Sequence, residues 1–95
     1  MSKPLPWDLV RELRAPAVAE FLGLIPARQR HKYECPVHGG SDSLHAYPEP
    51  GRGFYCFGCG QAFSTIDMAA AVWNVNAAQA CERLARTFGI PLGVR

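Results

Sequence analysis

The sequence has no uninterrupted apolar run of about 18 residues, the length that a membrane-spanning helix needs. Its N-terminus lacks the long apolar block and the small-residue cleavage site of a secretory signal. It also contains no internal repeat and no low-complexity tract. These absences argue against a membrane partner and a repeat array. We therefore expect a cytoplasmic protein, in which cysteines stay reduced.

Charge of either sign is scarce, since ten Lys and Arg against eight Asp and Glu give a net charge of +2. This balance permits nucleic-acid binding without demanding it. About half of the residues (48%) are hydrophobic, which is typical of a globular chain. With only 95 residues the chain suits one small domain, whose core needs support from a metal, disulfides or a partner.

The pattern of the chain predicts a single α+β domain over residues 1–95. A helical lead-in covers 6–24, with Pro16 splitting or kinking it and Gly23 ending it. Apolar residues of the lead-in recur at spacings of three and four, which predicts a buried stripe. The stripe comprises Leu9, Val10, Leu13, Ala17, Phe21 and Leu24.

Residues 28–63 read as a ribbon of short strands and turns with a small antiparallel β-sheet. Alternation over 43–47 puts Leu44 and Ala46 on one face and His45 and Tyr47 on the other. The loop 48–53 holds four Pro or Gly residues, and the aromatic segment 53–57 follows it. We therefore predict a hairpin across 48–53, with either Phe54 or Tyr55 packed inward.

Two helices are predicted over 64–88 at the C-terminal end. Ser64 with Asp67, and Asn76 with Gln79, resemble capping boxes at the two starts. Gly89 and Pro91 provide the final stop. The ribbon is thus flanked by helices on both sides in sequence.

Three of the four cysteines and one histidine form two pairs in the ribbon. The pairs are Cys35-x2-His38 and Cys56-x2-Cys59, separated by seventeen residues. Each pair can reach one ion from a tight turn, and the neighbouring glycines suit such turns. Together they predict one structural Zn²⁺ in a closed Cys3His site. Such a site leaves no open position for catalysis.

Other interpretations of these cysteines stay open on the residues alone. Two disulfides would require an oxidising compartment, and would leave His38 without a role. A thioredoxin-like redox pair at Cys56 and Cys59 lacks a surrounding βαβ unit. Cys81 is interpreted as a buried thiol on a helical stripe, and His31 as a surface histidine.

The motifs Cys35-Pro36-Val37-His38 and Cys56-Phe57-Gly58-Cys59-Gly60 resemble the N-terminal zinc-binding domain of DnaG-type bacterial and phage DNA primases. The similarity extends over roughly residues 7–92, including the helix and basic turn before the first pair and the closing helices. Segment 41–44 departs from the family's Thr-Pro-Ser-Phe-like segment. Phe63 stands where the family usually has glycine, and we expect it to change that surface.

The resemblance implies a domain that engages the single-stranded DNA template of a primase, without catalytic activity of its own. Nothing follows Arg95, so the expectation is a free-standing relative, from a phage or other mobile element, or an excised domain. Candidate DNA contacts are basic side chains for phosphates and rings for bases. They are Arg28, Arg30, Lys32 and Arg52, together with His45, Tyr47 and Tyr55.

Three other functions are weighed against template binding. A protein-interaction adaptor or inhibitor would dock on a primase, helicase or polymerase, and the unusual Phe63 favours it slightly. An enzyme is disfavoured because Asp8, Asp42 and Asp67 lie in three separate segments. A duplex-reading transcription factor is disfavoured because no recognition helix is evident.

Overall fold

The helical lead-in consists of two short helices. In the computed structural model, which describes residues 5–37, 39 and 42–91, α1 spans Trp7–Arg11 and α2 spans Ala15–Leu22. Pro16 lies in the first turn of α2, where its missing N–H costs no helical hydrogen bond. Gly23 ends α2 with a φ of 75°. The predicted division into two short helices is confirmed, although the break lies at 12–14, just before Pro16, and the predicted stop at Gly23 is confirmed as well.

The predicted apolar stripe of the lead-in is wrong in part. Leu9 and Phe21 are 57% and 47% exposed, and Ala17 is exposed as well. The interruption at 12–14 resets the helical phase, so a period counted across it selects the wrong face. The buried side chains of the two helices are Val10, Ala15, Val18 and Ala19.

The ribbon forms a four-stranded sheet in which every neighbouring pair is antiparallel. Its strands are β1 (Lys32–Tyr33), β2 (Leu44–Ala46), β3 (Phe54–Cys56) and β4 (Gln61–Phe63), in that spatial order. β2 and β3 form the hairpin predicted across 48–53. Strands that follow one another in the sequence are therefore neighbours in the sheet.

Two helices follow the sheet, and local signals set where they begin. α3 spans Thr65–Trp73 and α4 spans Ala77–Thr87. Ser64 Oγ accepts a hydrogen bond from the Asp67 N–H at 3.0 Å, and Asn76 Oδ1 accepts one from the Gln79 N–H at 2.8 Å. Both predicted capping boxes are confirmed, because each also has its reciprocal bond.

The core lies between the helices and one face of the sheet, which we call the inner face. Leu44, Ala46 and Phe54 project from that face and are fully buried with the apolar sides of the helices. The buried Thr65 hydroxyl donates a hydrogen bond to the Val10 carbonyl at 2.8 Å and links α3 to α1. The result is the α+β arrangement that the sequence predicts, a small antiparallel sheet flanked by helices.

Phe63 also belongs to the inner face. It pairs with Phe54 across β3 and β4, is half-buried and packs against the core. Strand alternation points the Phe63 ring toward the core, so only part of this side chain reaches the surface that it was expected to change.

None of the helices in the described part of the chain combines the length and the apolarity that a membrane crossing requires.

Candidate metal centre and nucleic-acid interface

The sulfur atoms of Cys35, Cys56 and Cys59 converge at one end of the sheet. Cys35 follows β1, Cys56 ends β3, and Cys59 lies in the turn before β4. Their three Sγ atoms lie within 4.8 Å of one another, and Cys35 and Cys59 are 3.9 Å apart. Thiolates about 2.3 Å from a tetrahedral zinc ion are about 3.8 Å apart, so this spacing fits zinc.

The two turns that carry the metal-ligand motifs are closed by equivalent backbone hydrogen bonds. The Gly39 N–H donates to the Cys35 carbonyl at 2.8 Å, and the Gly60 N–H donates to the Cys56 carbonyl at 2.8 Å. Gly39 and Gly60 both have positive φ, 81° and 70° respectively. Because glycine adopts this conformation without strain, the local sequence explains why both turns close tightly.

The surroundings of Cys56 and Cys59 shift the pKa values of the two thiols in opposite directions. Burial raises the pKa of Cys59 to about 12, and the neighbouring thiols Cys56 and Cys35 raise it as well. Burial also acts to raise the pKa of Cys56, but hydrogen bonds from the Cys59 N–H and with Ser43 outweigh burial and lower it. The Cys59 N–H lies 3.3 Å from Cys56 Sγ. A divalent cation would relieve the repulsion that opposes a third thiolate.

The fourth predicted ligand, His38, lies outside the described residues, as do Gly40 and Ser41 of the following loop.

The cysteines of the cluster are not joined by a disulfide. The 3.9 Å separation of the Cys35 and Cys59 sulfur atoms is far longer than a disulfide bond of about 2.05 Å. All four cysteines are free thiols. Cys81 is fully buried on α4, as predicted, among apolar neighbours.

The sheet face opposite the core carries rings and basic side chains, and we call it the outer face. His45 pairs with Lys32 on one side and with Tyr55 on the other, so the three share this face. The remaining members are Tyr47, Phe57 and Arg52. The ring centroids of His45 and Tyr47 are 4.6 Å apart, and those of Tyr55 and Phe57 are 4.8 Å apart.

Two cations already lie against rings of the outer face. The Arg52 guanidinium is 4.1 Å from the centroid of the Tyr47 ring, and Lys32 Nζ is 5.8 Å from that of Phe57. Arg52 is also 3.8 Å from the Glu49 carboxylate. The face therefore combines rings on which bases can stack with charges that can meet phosphates.

Five of the seven sequence-predicted nucleic-acid contacts meet on the outer face. They are Lys32, His45, Tyr47, Arg52 and Tyr55. The structure resolves the choice between Phe54 and Tyr55, because Phe54 is buried on the inner face. Arg28 and Arg30 are exposed in the turn before β1, and within the described residues neither contacts a ring of this face.

Phe57 is the outer-face residue that the sequence analysis missed. Its side chain is 62% exposed, and it contacts Tyr55 and Lys32. The signal was available, because Phe57 lies two residues beyond Tyr55 and alternate residues of a strand share a face.

A short antiparallel sheet that gathers three cysteines at its turns, with helices packed on one face, defines a zinc-ribbon class of domain. Comparison with known families is consistent with that class. The CHC2 zinc-finger family of DnaG-type zinc ribbons matches residues 15–95, and the chain belongs to this family. The cysteine cluster is consistent with the structural zinc of such a finger.

The chain is also similar to a known protein along nearly its whole length. The chain is 26% identical over 96 residues to a DNA primase of Thermotoga maritima. The match covers 95% of this chain and 17% of that primase. The chain thus spans about a sixth of the length of this relative. No solved structure gives a significant match.

Proposed function

We propose that the chain is a zinc-stabilised, non-catalytic module that binds the single-stranded DNA template of a primase system and works with a catalytic partner in trans. The outer face is the observation that carries this proposal, because it brings four rings and two cations together. The primase relationship of the family supports it. A cytoplasmic location belongs to the same proposal, since thiolate ligands must stay reduced.

The proposed metal site uses Cys35, His38, Cys56 and Cys59 around one structural zinc ion. The convergence of the three sulfur atoms supports the cysteine ligands. The matching turns at 35–39 and 56–60 support His38, because residue 38 holds the sequence position in the first turn that Cys59 holds in the second. When bound, the ion cross-links the two turns of the sheet.

In the proposed complex, bases stack on rings of the outer face while cations meet the phosphates. Each base stacked on an aromatic ring contributes about 1–3 kcal/mol. Lys32 and Arg52 lie over rings in the free protein, and each can turn from its ring to a phosphate. Arg28 and Arg30 extend the basic surface along the turn before β1.

Fluorescence anisotropy of a labelled single-stranded oligonucleotide, titrated with zinc-loaded protein over a salt series, tests the proposal. We expect salt-sensitive binding that a matched duplex does not show. Neutralising Lys32→Gln with Arg52→Gln should weaken binding and flatten the plot of log affinity against log salt. The slope should fall by about 0.7 for each phosphate that is no longer neutralised by a protein cation.

The matched control removes the same charge from the helical side. Arg83→Gln with Arg86→Gln on α4 should leave single-strand affinity close to that of the wild type. The double variant Arg30→Ala with Lys32→Ala tests whether the turn before β1 contributes to single-strand affinity together with β1. No binding at low salt, or equal losses in the outer-face and α4 variants, would contradict the proposal.

A second candidate is an adaptor or inhibitor that docks on a primase, helicase or polymerase. It is favoured by an open groove of about 210 Å³ beside Cys35. Apolar side chains predominate in its lining, which includes Leu22, Leu24, Ile25, Pro36 and Val72. Ile25 is 57% exposed. Capture of a purified partner enzyme without single-strand binding would favour this candidate.

A further inference from the structure

His45 occupies the middle of the outer face. Along β2 it is two residues from Tyr47, whose ring centroid lies 4.6 Å from its own. Across the sheet it pairs with Lys32 on β1 and Tyr55 on β3. Any strand that spans the face from the Arg52 end to the Lys32 side must therefore pass over this imidazole.

The groups around His45 are mostly cationic. Burial is the largest influence and lowers the pKa of His45. The neighbouring side chains of Lys32, His31 and Arg52 lower it further. Glu49 acts in the opposite direction and raises it. Tyr47 and Tyr55 complete its neighbours on β2 and β3. These influences together lower the pKa of His45 and favour the neutral imidazole in the free protein.

A bound polyanion offsets the influence of the neighbouring cations. Phosphates bring negative charge to the face, and they neutralise the fields of Lys32 and Arg52 that disfavour a charged imidazole. An imidazolium also has two N–H donors, whereas the neutral ring has one. The bound state therefore favours the protonated ring more than the free state does.

We propose that His45 takes up a proton when single-stranded nucleic acid binds the outer face, and that it then contacts a phosphate as an imidazolium. This inference rests on the proposed function of the face. Its sign follows from linkage, because the complex holds more protons than the free protein and its affinity must rise as pH falls. As pH falls, the affinity rises between the pKa of His45 in the complex and the lower pKa of His45 in the free protein. Below the pKa of the free protein, the affinity no longer changes.

The test is the dissociation constant of labelled oligothymidylate, measured by anisotropy at constant ionic strength from about pH 8 to about pH 6, the range of histidine titration. The protein is zinc-loaded, and its zinc content is checked at each pH. We expect affinity to rise as pH falls, by no more than about tenfold per unit because one proton is involved. His45→Asn should abolish this dependence, and it should bind more weakly than the wild type at every pH because it also loses one of the four rings of the outer face.

His31→Asn is the matched control, since it removes the neighbouring imidazole and should keep the pH dependence. A second measurement needs no variant: calorimetry in buffers of different ionisation enthalpy reports proton uptake directly. Tight binding that is flat with pH, or pH dependence that survives in His45→Asn, would overturn this inference and leave the proposed function standing. Absence of binding at every pH would overturn both.

Discussion

Cys56 and Cys81 are both fully buried cysteines, yet their surroundings give them different chemistry. Cys56 lies within 4.8 Å of two other thiols and receives an N–H from Cys59, which favours its thiolate. Cys81 lies in the apolar core, where burial raises its pKa more than the charge of Arg11 lowers it. Burial alone therefore does not identify a ligand, whereas convergence with other donors does.

The contrast between these cysteines predicts metal content. We expect Cys56→Ala to hold much less than one zinc per chain, because three donors bind zinc more weakly than four. Cys81→Ala should keep one zinc and lose only about 1 kcal/mol of unfolding free energy for its small cavity. Elemental analysis after gel filtration measures both. Equal zinc content in the two variants would contradict the proposed ligand set.

Glu49 opposes the proposed function of the outer face. Its carboxylate lies 3.8 Å from Arg52, and both side chains are more than half exposed, so the pair contributes little to stability. It does place a negative charge beside the surface proposed to meet phosphates. Glu49 also pairs with the Arg52 guanidinium, which would otherwise be available to the phosphates.

We therefore expect Glu49→Gln to strengthen single-strand binding by about two- to fivefold at low salt, with the gain shrinking as salt screens the charge. Anisotropy titrations at two salt concentrations measure the effect. Glu82→Gln is the control, because Glu82 pairs with Arg86 at 2.8 Å on α4, away from the outer face. A gain of the same size in the control would show a general effect of net charge instead.

At the scale of elements, the β2–β3 hairpin depends on two glycines with different constraints. Gly51 and Gly53 have positive φ, 81° and 70°. A Cβ at Gly51 would meet open space, whereas one at Gly53 would overlap the Phe63 carbonyl oxygen of β4. Gly53 thus serves both the turn and the close approach of the next strand.

Alanine substitutions at Gly51 and Gly53 distinguish the effect of positive φ from the effect of the close approach of β4. Gly51→Ala and Gly53→Ala should share a conformational cost of about 1–2 kcal/mol for positive φ. Gly53→Ala should lose a further 1–3 kcal/mol or so, because backbone atoms must shift to admit the methyl group. Chemical denaturation of the zinc-loaded proteins gives the two unfolding free energies. Equal losses of unfolding free energy in the two variants would mean that β4 moves away from the hairpin without a measurable loss of stability.

Element boundaries were predictable wherever a local signal marks them. The capping boxes at Ser64 and Asn76 locate α3 and α4, because side chains three residues apart satisfy the first N–H groups. The buried face of the lead-in was not predictable in the same way. That face depends on residues 12–14, which interrupt the helix and change the direction in which the later side chains point. No local sequence pattern gives the size of this change, and the exposure of Leu9 and Phe21 is the result.

At the scale of the whole molecule, the sheet and the helices have different sources of stability. The helices bury Ile66, Met68 and Leu84, whereas the strands are two or three residues long. Sheet residues contribute Leu44 and Phe54 to the core. The rest of the ribbon consists of turns that the thiol cluster brings together. Structural metal binding supplies folding free energy in domains of this kind.

We therefore expect chelation to lower the melting temperature by more than about 10 °C, since each kcal/mol shifts it by about 4–8 °C in a domain of this size. Amide exchange should accelerate first over 32–63, before it does in α3 and α4. Circular dichroism and hydrogen-exchange mass spectrometry make the two measurements. Restored zinc should restore both, and an unchanged melting temperature would contradict a structural metal.

The sequence by itself determined the features that depend on neighbours along the chain. These include the spacing of the metal-ligand motifs, the capping boxes, the hairpin and the alternation that turns His45 away from Leu44. They were predictable because spacing and local hydrogen bonding act over a few residues.

Only the tertiary structure decided which distant residues meet. It brought Cys35 to Cys59, turned Phe63 inward and set Lys32 beside Phe57 on the outer face. It also left Arg28 and Arg30 in a turn, although they are close to Lys32 in sequence. Strand pairing sets these relations, because cross-strand register joins residues that no local period connects.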